Sequence, residues 1–470
     1  MRCLALYLFY HTFTKILHIL PDINSSTEMR VLMKTTGIIA EYNPFHNGHL
    51  HQIETIRRQT GTDTIVVVLS GNFVQRGTPA FTDKYLRTAM ALESGADFVF
   101  ELPVIYASAS AGLFALGGIA LLESLGFVDN ICFGSECNNI NILQQAADIL
   151  LNGGSSFNSS ISQFVQSGAS YPAAQHMAIK KHFPGVSEEI CQAARRPNNI
   201  LAIEYLKALE LLKSRITPFT IQRCGGGYNS QDYSVNYNFI SAAAIRNAFA
   251  NEKEPLNTIA SFVPSSTLDI LSNNKERINI NEDMFSGVLY YKLIETKCNC
   301  NDKEAAQRLA GFLDVSEALA GRIIKNIGNY NTFTGFAQML KTKQYTYSRI
   351  CRSLIHILLG IRKDNYKIKL PLTPTNSIYP LQVTPYARIL GMNRQKSHIL
   401  KNIQNTVLLT KTADALLLFK NSSLLKQYGL ENFAKKTFEK DIFAASLYRT
   451  ITKQGNTPCP DEYRAGILIK

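Results

Sequence analysis

The chain has no Cys-x-x-Cys pair, although it carries nine cysteines among its 470 residues. The closest spacing is Cys298-Asn299-Cys300, and no second pair stands by to complete a zinc site. An odd cysteine count without a paired framework excludes a disulfide scaffold and reads as free thiols in a reducing, cytoplasmic setting. Internal repeats and low-complexity tracts are also missing, which excludes solenoid and fibrous architectures. Long charge-free apolar runs are missing too. Met1 to Leu20 is apolar and aromatic, but His11, Lys15 and His18 interrupt it and no small-residue cleavage site follows. Neither a membrane partner nor a signal peptide is expected. Met29 and Met33 stand just before the first predicted strand. Residues 1–33 therefore read as an N-terminal extension, with translation expected to begin at Met33 or Met29.

The composition is that of a globular protein, with 46% hydrophobic residues and a mean hydropathy of −0.04. The length suffices for two or three domains. The net charge of +13 is unevenly placed. Lys341 to Lys470 holds 22 Lys and Arg against 7 Asp and Glu, whereas the remainder holds 27 against 29. A nearly neutral front followed by a basic rear suggests a catalytic domain joined to a polyanion-binding one, or a rear surface charged for solubility.

The most informative stretch is Lys34 to Leu50. Gly37-Ile38-Ile39-Ala40 suits a buried parallel strand, and Asn43-Pro44 breaks it. His46-Asn47-Gly48-His49 follows, and from Leu50 the apolar residues Leu50, Ile53 and Ile56 take helical spacing. A strand, a turn and a helix start place two imidazoles beside free backbone N–H groups at a positive helix terminus, a combination that holds a polyphosphate. Alone, the His-x-Gly-His string could equally be a turn with surface histidines.

Further strands are predicted at Asp63–Ser70, Asp97–Leu102, Asn130–Phe133 and Pro218–Arg223, with helical patterns between them. This alternation predicts an α/β fold with a doubly wound parallel sheet, whose ligands bind beyond the carboxyl ends of the strands. The polar ends Asn43–His49, Ser70–Arg76, Glu101 and Gly134–Glu136 should converge on one crevice. The Gly71–Gly77 segment reads as a loop too polar for the core. Asn198-Asn199 at a helix start either caps that helix or contacts a ligand, and Arg223 at a strand end grips phosphate or forms a structural ion pair. After residue 250 strand signals fade into amphipathic helices. The boundaries expected are 34–250 for a nucleotide-binding domain and 251–470 for a helical basic one. Lys343, Arg349 and Arg352 could meet RNA phosphates, and Tyr345 could stack on a base or belong to the core.

Glu41-Tyr42-Asn43-Pro44-Phe45-His46-Asn47-Gly48-His49 resembles the signature of bacterial tRNA(Met) cytidine acetate ligases, in the nucleotidylyltransferase superfamily. Phe239 to Arg246 is similar to the superfamily's second, hydroxyl-rich signature, but Ala243 and Ala244 stand where relatives commonly carry hydroxyls. Pro385 to Met392, with Arg388, also resembles the ligases. The resemblance implies catalytic roles for His46 and His49. It implies ATP contacts from Ile39, Ala40, Glu41, Tyr42, Asn43, Pro44, Phe45, His46, Asn47, Gly48, His49 and Leu50, with Asn198 and Arg223; Gly134 joins them as a strand end. Ser241 and Arg246 are left to hold phosphates, and Lys343, Tyr345, Arg349, Arg352 and Arg388 to hold tRNA. The implied reaction activates acetate with ATP as acetyl-adenylate and transfers the acetyl group to the wobble cytidine of elongator tRNA(Met). Mg²⁺ is expected with ATP, no protein-held metal site and no stable protein partner. Two other functions remain open: nucleotidyl transfer to a small phosphorylated acceptor, and RNA binding without catalysis on a degenerate nucleotide fold.

Overall fold

The computed structural model describes residues 34–223, 239–368, 378–452 and 459–470. The N-terminal extension and the Gly225-Gly226-Gly227 run lie outside the described residues.

The first strand, β1 (Thr35–Ala40), lies at the centre of the main sheet. It pairs in parallel with β2 (Thr64–Ser70), whose seven residues are all buried. The β-branched run Thr64-Ile65-Val66-Val67-Val68 accounts for this, because a strand covered on both faces needs apolar groups on both. Two short strands, β3 (Phe73–Val74) and β4 (Thr78–Pro79), form an antiparallel hairpin beyond β2. Next come β5 (Phe98–Leu102), β6 (Asn130–Ser135) and β7 (Thr217–Gln222). The order β5-β2-β1-β6-β7 is parallel throughout and reverses direction between β1 and β6. In an open α/β sheet that reversal opens a crevice at the strand ends.

Helices cover both faces. On one face Ile38, Ile65, Val67 and Leu69 pack against α1 (Asn47–Thr60) and α2 (Lys84–Glu93). On the other, Val66, Val68, Ile131 and Phe133 pack against α3 (Ala111–Leu125) and α4 (Pro197–Leu211). Alternate residues of β2 thus enter alternate cores, as the strand period of two requires. The contact between α3 and β1 is close: a Cβ on Gly118 would stand 2.5 Å from the Ile39 side chain. A further helix on the α1 face, α5 (Ala242–Asn251), packs through Ala244 and Ile245.

Three sheet strands come from beyond residue 250, so the two expected regions share one sheet. β8 (Tyr386–Met392) runs antiparallel to β5, and β9 (Val407–Leu409) and β10 (Leu468–Ile469) pair with β8. The rest of that half is helical and includes α6 (Tyr347–Leu359). Residues 34–470 form one compact unit.

Candidate active site

His46 is the N-cap of α1, with an extended backbone, and its Nδ1 accepts a hydrogen bond from the Gly48 N–H at 3.0 Å. Nδ1 of His49 accepts in turn from the His46 N–H at 3.2 Å. The two rings stack with centroids 3.7 Å apart. Because both Nδ1 atoms are acceptors, the hydrogen of each neutral imidazole sits on Nε2. Burial, reinforced by the guanidinium groups of Arg223 and Arg246, lowers the His46 pKa to about 3. Burial and then the neighbouring His46 and Arg223 lower that of His49 well below its ordinary value. Near neutral pH the pair is uncharged and offers two fixed Nε2–H donors.

The supports of this pair come from the same motif. Tyr42 and Phe45 pack their rings against His49 at 4.7 and 5.3 Å. Asn43 is buried; its Oδ1 accepts from the Phe81 N–H at 2.6 Å and its carbonyl accepts from Arg246 at 2.7 Å. Asn47 donates to the Ser261 carbonyl and Leu50 joins the core beneath α1. Below them the fully buried Arg87 donates to the carbonyls of Glu41, Ser70 and Gly71, clamping the ends of β1 and β2 together.

A cavity of about 260 Å³ opens over the ends of β1 and β6, at the sheet's reversal point. Ile39, Ala40, Glu41, Tyr42, Asn43, His46, Gly48, His49, Gly134, Asn198, Arg223, Ser241 and Arg246 all line it. Pro44, Phe45, Asn47 and Leu50 do not; they hold the turn from behind. Neither asparagine caps α4, whose N-cap is Arg196 without a side-chain cap bond. Asn199 is buried and accepts from the Glu136 N–H, whereas Asn198 faces the cavity and accepts from Arg223 Nη1 at 2.6 Å. Glu136 turns to the start of α4 and accepts from the Asn198 and Asn199 N–H groups.

Several expectations need correction. Glu101 does not reach the crevice: it is buried and paired with Lys84 at 2.7 Å and Arg388 at 2.9 Å. Arg388 is only 4% exposed and also meets Glu462 at 2.6 Å, so it has no route to a tRNA phosphate. The Gly71–Gly77 segment is no polar loop, since Phe73 and Val74 are buried. Ala244 is buried in the core and its N–H is capped by the Ser241 hydroxyl, so a hydroxyl there would miss the cavity; only Ala243 faces it. Among the other residues named for tRNA, Lys343 is exposed. Tyr345 is partly buried, bonds Ser316 at 2.7 Å and carries the Arg349 guanidinium over its ring at 4.9 Å. Arg352 is held by Asp314 at 3.0 Å.

Sequence reasoning missed the apolar wall of the cavity, made by Phe114 of α3, Phe133 of β6, and Leu201 and Tyr205 of α4. No signal distinguished these from ordinary core residues. It also passed over His51, Gln52 and Gln222 as lining residues, whereas Gln75 and Arg76 line the cavity from the Ser70–Arg76 end expected to converge there. The hydrogen-bonding groups, the two helix starts and the guanidinium groups surround a space suited to a nucleotide triphosphate with an apolar end for its base.

The HIGH Nucleotidyl Transferase family profile matches residues 33–460. A tRNA(Met) cytidine acetate ligase of Clostridium novyi is 36% identical over 423 residues, covering 90% of this chain and 96% of the relative. One from Clostridium perfringens is 38% identical over 379 residues, covering 79% and 87%. Thermotoga maritima TmcAL, whose crystal structure contains alpha-thio ATP, superposes with a TM-score of 0.80 at 26% identity, over 93% of this chain and 99% of that one. The apo form of the same protein gives 0.81. The chain belongs to the tRNA(Met) cytidine acetate ligase family of HIGH nucleotidyl transferases.

Proposed function

We propose that this protein activates acetate with ATP and transfers the acetyl group to N4 of the wobble cytidine of elongator tRNA(Met), in the cytoplasm. The observation that carries the reading is the stacked His46–His49 pair, with both Nε2–H donors fixed at the start of α1 beside the cavity.

In the first step an acetate oxygen uses a lone pair to bond the α-phosphorus. The bond from that phosphorus to the bridging oxygen breaks, and pyrophosphate leaves with the electron pair. His46 and His49 donate to the α-phosphate oxygens as charge builds there, each contributing roughly 3–4 kcal/mol by analogy with an oxyanion donor. The start of α5, with the Ser241 cap and Arg246, holds the departing pyrophosphate. Gly134 and Asn198 hold the nucleoside end, and Arg223, whose charge acts on both imidazoles, grips the α-phosphate beside them. In the second step the cytidine amine attacks the acetyl carbonyl, AMP leaves, and the amine gives up a proton. Among the described residues no cluster of three or more His, Cys, Asp or Glu is placed to hold a metal ion. Mg²⁺ would come with ATP, held mainly by phosphate oxygens and water, and would offset the phosphate charge. Glu41 is the carboxylate that lines the cavity on that side.

Labelled pyrophosphate should exchange into ATP only when acetate is present, and without tRNA. Exchange that ignores acetate would point instead to nucleotidyl transfer onto another acceptor. No exchange, with RNA binding retained, would leave a non-catalytic protein.

A further inference from the structure

Three guanidinium groups line the cavity, from Arg76, Arg223 and Arg246. Arg223 follows β7 and donates to Asn198; Arg246 belongs to α5 and donates to the Asn43 carbonyl. Arg76 has a different origin. It sits at the tip of the β3–β4 hairpin, which follows β2, so it and Arg223 reach the cavity from opposite sides of β1.

The hairpin is built to hold that tip still. The Gln75 N–H donates to Glu41 Oε1 at 2.9 Å, tying it to the His46–His49 turn. The Gly77 N–H closes the turn on the Val74 carbonyl at 2.9 Å. Phe73 and Val74 anchor it in the core, and Arg87 clamps the backbone where it leaves β2. On its outer side Gly77 has φ +75°, and a Cβ there would fall 2.2 Å from the backbone nitrogen of Arg352 in α6.

We propose that Arg76 binds the carboxylate of the acid being activated. This rests on the adenylating reading above. An in-line displacement places the attacking oxygen opposite the leaving pyrophosphate. With the α5 start and Arg246 engaged by the pyrophosphate and Arg223 by the α-phosphate, the nucleophile needs a cation of its own. A guanidinium matches a carboxylate in charge and in its two-pronged geometry. It can hold one oxygen while the other attacks.

The test is acetate-dependent pyrophosphate exchange by the full chain, comparing wild type with R76Q and R76K, with ATP affinity measured by titration calorimetry. Arg76→Gln should raise the KM for acetate about tenfold to a hundredfold, the loss of a charge-assisted hydrogen bond. ATP affinity should be unchanged, and Arg76→Lys should recover part of the loss as a single-point cation. An unchanged acetate KM would overturn the proposal, and so would a parallel fall in ATP affinity in both variants. A wild-type chain without acetate-dependent exchange would overturn the adenylating reading itself, and the proposal with it.

Discussion

In the proposed mechanism the chemistry rests on the tautomers of two imidazoles. Each Nδ1 of His46 and His49 is occupied by a backbone N–H, so the donors that face the cavity are set by the fold rather than by solution pH. His46→Ala or His49→Ala should lower turnover about a hundredfold or more while leaving ATP binding largely intact; steady-state exchange kinetics check this. The pH dependence follows from the same geometry. With its pKa at about 3, His46 gains no proton between pH 5 and 8, and burial also lowers the pKa of His49 well below its ordinary value. The exchange rate should show no histidine-dependent fall across that range. Stability behaves differently. Below pH 6.5 the unfolded chain takes up protons on these rings and the folded chain does not, so stability should fall as pH drops toward 3. Urea titrations over that range should show a shallower fall in a His46→Asn variant.

At the level of elements, the hairpin between β3 and β4 joins the cavity to the half of the chain that is basic. Gly77 lies against α6, the helix that carries Arg349 and Arg352. Gly77→Ala should destabilise the protein by at least about 1–2 kcal/mol from its left-handed backbone alone. It should also impair acetate-dependent exchange more than ATP binding; thermal melts and calorimetry measure the two effects. This hairpin also shows where sequence reasoning stops. Asn72, Gln75 and Arg76 read as a polar loop, and burial of Phe73 between them rests on contacts with Phe285 and Tyr448 far along the chain. The parallel strands were legible because β-branched runs buried on both faces carry their own local signal. The His46–His49 turn was legible because a strand, a proline and a helix start lie within sixteen residues of one another. The apolar wall of Phe114, Leu201 and Tyr205 was not, since a helix residue facing a ligand and one facing the core have the same spacing.

Across the whole molecule, the rear half does more than supply positive charge. Arg388 arrives on β8 and is neutralised by Glu101 from β5 and Glu462 near the C-terminus, with Lys84 completing a buried group of two cations and two anions. The pattern Tyr386-Ala387-Arg388-Ile389-Leu390 concealed a strand because its charge suggested a surface, and only distant carboxylates make its burial affordable. Arg388→Met should therefore destabilise the fold by about 3–5 kcal/mol, by leaving two buried carboxylates to share the single Lys84 cation. It should have no separate effect on tRNA affinity. Replacing Lys343 and Arg349 should do the reverse: weaker tRNA binding with a shallower salt dependence, and tRNA-independent acetyl-adenylate formation retained. Denaturant midpoints and filter binding at several salt concentrations separate the two.

The central claim is that one cavity forms acetyl-adenylate and the basic half presents tRNA to it. Incubation of the protein with labelled acetate, ATP and unmodified tRNA(Met), followed by nucleoside mass spectrometry, tests that claim most directly. The account predicts one N4-acetylcytidine, at the wobble position, formed only when ATP and acetate are both present and lost in His49→Ala. Label that stays out of tRNA, or acetylation that proceeds without ATP, would contradict it.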